Sequence, residues 1–188
     1  LIDSGIDEAR DGVKIGPVPG AFLGENKNFG VAAAKALQAG LIDGFWANGM
    51  GAEVAVRSGA GDIIIDARRG DGPPAALNYT MSCIAASDAF IQSNPEAAAA
   101  AVRALVKTQK ALKQDVSLAT KVGRKLFPAA EAELIADVVA RDLPYYTPDI
   151  SRDFVAGMTD FQRKMGLIKG HPAYEDVVAT QFSHLWSA

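Results

Sequence analysis

Apolar positions along residues 1–86 fall in short runs separated by Gly, Pro, Asn and Asp, and this pattern predicts strands alternating with helices. Residues 13–18 read as a short strand, with Pro17 and Pro19 placing it at an edge or a terminus. A polar loop rich in Gly and Asn follows over residues 20–28. Residues 29–39 read as a helix with Gly40 at its stop, and residues 41–47 as a strand. Asn48 is placed to cap a helix over residues 49–57, which Gly59 and Gly61 end. Ile63, Ile64 and Ile65 mark a buried strand within residues 62–66. Residues 68–74 read as a linker, and residues 75–86 as one more extended segment through Tyr79, Met81 and Ile84. This order predicts an α/β region with a mainly parallel sheet covered by helices.

From residue 87 the rhythm changes to helical spacing. Asn94 precedes Pro95, a favoured first helical residue. Val102, Leu105, Val106, Gln109 and Leu112 then trace one face of a helix. Leu118, Val122 and Leu126 mark a second helix, stopped near Pro128. Leu134, Ile135, Val138 and Val139 mark a third, ending before Pro144. Phe154, Met158, Phe161 and Met165 mark a fourth, closed by Gly166. Tyr174, Val177, Val178, Phe182 and Leu185 mark a fifth. Five amphipathic helices after one extended segment must bury their apolar faces, either in a bundle or on a sheet whose other strands lie outside these 188 residues. Leu1 and Ile2 read as the end of a helix stopped by Gly5. The expectation is therefore a C-terminal portion of a longer protein.

Composition narrows the function. The 49% hydrophobic and 22% charged content is ordinary for a globular chain. A net charge of −3 and a pI near 5.4 argue against nucleic acid as a partner. One cysteine excludes a disulfide within the chain and any cysteine-built metal site. Cys83, in an apolar stretch, reads as a small buried thiol. His171 and His184 stand thirteen apart without a paired carboxylate at helical spacing, so no metal is expected. Neither Gly49-Met50-Gly51 nor Gly59-Ala60-Gly61 matches a phosphate-binding loop, and no Gly-x-Ser-x-Gly elbow occurs; no cofactor is expected.

One place stands above this background. Around Trp46, Asn48, Gly49 and Met50 a predicted strand runs into a helix N-terminus, where free backbone N–H groups suit a polar or anionic group. Ligands of open parallel sheets lie beyond the carboxyl ends of the strands. The loop carrying Gly20, Phe22 and Asn28 would leave the same sheet edge if strands 13–18 and 41–47 are parallel. On the residues alone, Trp46 as a ligand platform and Trp46 as core stand about even.

The run AAAKALQAGLIDGFWANG resembles the segment of type II periplasmic substrate-binding proteins in which a helix ends in Ala-Gly and a strand carries Ile-Asp. SDAFIQSNPEAAAAAVRALVKTQKAL resembles their short helix, Asn-Pro and long Ala-rich helix, and MGLIKGHPAYEDVV their C-terminal turn and helix. The subgroup it resembles comprises the nitrate/sulfonate/taurine and thiamine-pyrimidine-precursor binding proteins of ABC transporters. The resemblance implies two α/β lobes with the N-terminal part missing. Residues 1–74 would form most of the second lobe, 75–86 a crossover, and 87–188 the C-terminal helices of the first lobe. It implies capture of a small organic or anionic solute in the interlobe cleft and delivery to a membrane permease, in the periplasm or on an extracytoplasmic lipid anchor. The ligand candidates are Trp46, Asn48, Gly49, Met50, Gly20, Phe22 and Asn28, with Tyr79 at the hinge. Competing readings are an enzyme of the same fold, from the menaquinone pathway or like the pyrimidine-precursor synthases, and the effector-sensing domain of a LysR-type regulator. An α/β domain followed by an unrelated helical bundle, with no ligand, completes the set. The pyrimidine-precursor synthases carry a cysteine-rich motif that a lone Cys83 does not supply.

Overall fold

Local sequence starts and stops the helices of this chain. The computed structural model describes residues 4–19, 28–72, 74 and 82–187. Helix α1 (Phe29–Gln38) is capped by the side chain of Asn28 and α2 (Gly49–Arg57) by that of Asn48. Ser87 caps α3 (Asp88–Ser93), and Ser151 caps the later helix over Arg152–Lys164. Each cap satisfies a backbone donor that the first helical turn leaves open, worth about 1 kcal/mol. Helices α1 and α2 end alike. Gly40 and Gly59 adopt φ near +70°, the left-handed conformation that a β-carbon disfavours. The following amides turn back, Leu41 to the Ala36 carbonyl and Ala60 to the Ala55 carbonyl.

The chain divides into two units. The first comprises residues 1–66 and 115–144. It holds α1, α2, α5 (Ser117–Leu126) and α6 (Ala129–Asp142). Helix α1 packs on α2, α2 on α6, and α6 on α5. Its buried side chains are mostly small: Val31, Ala33, Ala34, Ala36, Ala55 and Ala132. Such residues let helix backbones approach closely. A β-carbon on Gly51 would lie 2.7 Å from the Gly30 Cα, so the two backbones meet with no room for a side chain.

The second unit comprises residues 67–114 and 145–188. It holds α3, α4 (Pro95–Gln114), α7 (Arg152–Lys164), α8 (Tyr174–Val177) and a 3-10 helix over Thr180–Leu185. The Asn94 carbonyl accepts from Ala97 and Ala98, which starts α4 behind Pro95. The 3-10 helix lies on α4, with Phe182 and Leu185 buried against Ala98 and Ala99. Ile91, Val102 and Ala179 surround that cluster.

The α/β expectation, and with it the two-lobe type II periplasmic fold, is overturned: the structure is helical and has no strand among the described residues. Residues 13–18, 41–47 and 62–66 are irregular, as are residues 82–86, the described part of the 75–86 segment. Among the described residues, no backbone hydrogen bond joins residues 42–47 or 62–65 to another segment. A strand exists only beside a second backbone that takes its donors and acceptors. Without one, the apolar runs stay in solvent: Ile64 is 90% exposed and Leu41 is also open. The fifth helix is overturned in part, since Tyr174–Val177 is one α-turn and Thr180–Leu185 a 3-10 helix. Val178, between them, is extended, which interrupts the helical path. Cys83 is exposed, not buried, because no sheet covers its segment. Leu1 and Ile2 lie outside the described residues.

Candidate functional site

The N-termini of α1 and α2 come together in the first unit. The Asn28 side-chain oxygen accepts from the amides of Gly30 (3.1 Å) and Val31 (3.3 Å). The Asn48 side-chain oxygen accepts from the Gly51 amide at 3.3 Å. That same oxygen would lie 2.8 Å from a β-carbon on Gly30, so the cap of α2 rests on the first turn of α1. The absence of side chains at Gly30 and Gly51 is what brings the two caps this close.

Helix α6 supplies the third wall. A β-carbon on Gly49 would lie 3.0 Å from Val138, 3.1 Å from the Arg141 guanidinium and 3.2 Å from the Asp142 carboxylate. The Asn28 amide donates to Glu131 at 3.5 Å. Arg141 donates to the Gly49 carbonyl at 3.5 Å and pairs with Glu53 at 3.0 Å. Glu53 also pairs with Arg57 of its own helix, and Arg57 reaches Asp137 at 2.6 Å. Hydrogen bonds to Glu53 and then Asp137 push the Arg57 guanidinium above its ordinary range. These ion pairs fasten α2 to α6 along its length and hold the first turn of α2 in place.

The open chemistry lies at that first turn. Neither α1 nor α2 carries an acidic residue in its first turn. The Asn48 side chain caps the Gly51 amide, and the Gly49 and Met50 amides make no hydrogen bond among the described residues. Two N–H groups at the positive end of a helix are thus available to an acceptor. Trp46, two residues upstream, is 71% exposed and presents a large apolar ring. Met50 is half-buried. Donors beside an aromatic surface suit a small solute with a polar acceptor and a flat or apolar body.

Of the sequence candidates, Asn28, Asn48 and Gly49 are gathered by the α1–α2–α6 packing, and Trp46 and Met50 flank them in the chain. Gly20, Phe22 and Tyr79 lie outside the described residues. Glu131, Arg141 and Asp142 escaped the sequence reading, being more than 75 residues further along the chain. Their nearest signal was the glycine at positions 30 and 51, within the first turn of each helix and a mark of close approach. Among the described residues, no group of three His, Cys, Asp or Glu side chains is placed to hold a metal, and no helix is long and apolar enough to cross a membrane. Compared with protein-family models, curated proteins and solved structures, the chain matches none of them.

Proposed function

We propose that this chain binds a small solute at the joined N-termini of α1 and α2, and serves as the solute-binding component of an ABC importer. It acts in the periplasm or on an extracytoplasmic anchor, delivers its solute to a membrane permease, and performs no chemistry on it. The observation that carries the binding reading is the pair of open amides at Gly49 and Met50 beside the exposed ring of Trp46. The transport reading adds the sequence resemblance of the 32–49 and 87–112 runs. Glu131 and Asp142, beside the two caps, favour a solute whose acceptor is neutral or weakly charged over one bearing a dense negative charge.

The test is titration of the full chain with nitrate, taurine, an alkyl sulfonate and an aminopyrimidine, read by tryptophan emission and calorimetry. One of these is expected to bind saturably, and Trp46→Ala to weaken it by about tenfold or more, the loss expected of a stacked aromatic contact. The melting temperature should stay within a degree or two, since an exposed side chain adds little to stability. Unchanged affinity in Trp46→Ala would remove this site from the reading.

A further inference from the structure

A cavity of about 180 Å³ opens in the second unit between α7 and the segment around His171. That is the liquid volume of about six water molecules, room for a compact organic molecule and too little for a nucleotide. Helix α7 contributes Arg152, Val155, Thr159 and Asp160, which share one face by their spacing; His171 and Tyr174 close the other side.

Part of the lining is already engaged. The Arg152 guanidinium stands 4.3 Å from the centre of the Tyr174 ring and pairs with Glu175. The Tyr174 hydroxyl donates to the Ile150 carbonyl. These contacts build a wall and neutralise Arg152. The rest of the lining is open. Thr159 is only 9% exposed, yet its hydroxyl makes no hydrogen bond among the described residues. That hydroxyl is not among the fully buried side-chain atoms, so it is open to the cavity and able to exchange a hydrogen bond with an occupant. Asp160 is exposed at the rim and has no ion-pair partner among the described residues, so it is the one carboxylate of the lining and is free to pair with a cation.

We infer that this cavity binds a small primary ammonium, an alkylamine or amino alcohol of about half a dozen heavy atoms. The ammonium sits on the Asp160 carboxylate and gives a second N–H to the Thr159 hydroxyl oxygen. The alkyl stem lies along Val155. A carboxylate of the same size would meet Asp160 with like charge, and an alcohol would forgo the charge-assisted bond.

The experiment titrates the full chain with n-butylammonium, ethanolamine, butyrate and n-butanol while following backbone amide chemical shifts. Saturable shifts confined to residues 152–174 are expected for the two amines below about 10 mM, a modest affinity in keeping with so small a ligand. Asp160→Asn should weaken binding by about tenfold or more, and Thr159→Val, which keeps the side-chain shape, by severalfold. Asp153→Asn removes an exposed charge from the same helix outside the cavity lining and should leave binding unchanged. Absence of saturable shifts, equal response to butyrate or butanol, or equal weakening by Asp153→Asn would overturn the assignment.

Discussion

In the first unit α1 and α2 touch backbone to backbone at Gly30 and Gly51, whereas in the second a short 3-10 helix drives Phe182 and Leu185 onto the alanines of α4. Both solutions bury alanine, but they respond differently to change. Close backbone packing gains many small contacts and tolerates no added atom. Side-chain packing gains area from a few large residues and suffers most when one is removed. The first unit accordingly uses its close approach to bring two helix N-termini and their caps together. The second leaves a side-chain-lined cavity along α7.

The largest expected effect tests the second unit. Phe182→Ala removes a buried aromatic ring and should cost about 3 kcal/mol in urea unfolding. Hydrogen exchange should show α4 losing protection while α1 and α2 keep theirs. Equal loss in α1 and α2 would mean that the two cores stand or fall together.

Next comes a pair of glycine substitutions in the first unit. Gly51→Ala places a methyl 2.7–2.8 Å from the Gly30 backbone, which cannot yield without separating α1 from α2. A loss of about 1–3 kcal/mol is expected. Gly123→Ala places its methyl 2.7 Å from the Ile135 Cδ1, the far end of a flexible side chain. Its strain is offset by the roughly 1 kcal/mol that alanine gains over glycine in a helix, so a near-neutral result is expected. Equal destabilisation by both would show that the helix pairs α1–α2 and α5–α6 are equally intolerant.

The smallest effect concerns pH. The hydrogen bond from Arg152 holds the Glu175 carboxyl below the usual carboxylate range. Folding therefore favours the ionised form. Its contribution is complete above the unfolded value of about 4.3 and fades as pH falls through the folded value. The pair is exposed, so the effect on stability is slight. The Glu175 carboxyl resonance should titrate below that of a free glutamate, and Arg152→Gln should return it toward the ordinary range. A normal midpoint in the unsubstituted chain would mean that the wall of the α7 cavity is not fixed by this pair.

Much of the helical part was legible because its signals are local. Asn48 before Gly49 and Gly59 after Arg57 are sufficient to bound α2, since a cap and a left-handed stop act within one turn. The same holds for α1 and α7, whereas α4, α5 and α6 are legible from apolar faces that repeat at helical spacing. The candidate site was half legible. Asn28 and Asn48 are visible as caps, but their meeting depends on two glycines twenty-one residues apart, and the carboxylates and guanidinium beside them come from α6.

The sequence by itself determined where the longer helices lie, because capping and periodicity are decided between neighbours along the chain, but not the break at Val178 in the last predicted one. Only the tertiary structure decided that Ile63–Ile65 and the 41–47 run are not strands, since a strand requires a neighbouring backbone and, among the described residues, residues 42–47 and 63–65 bond to none. It alone also decided which helices share a core and which side chains meet at the caps of α1 and α2. The contacts of the two caps with α6 join residues 92 and 103 positions apart, and no pattern within one segment carries information about the segment it will touch.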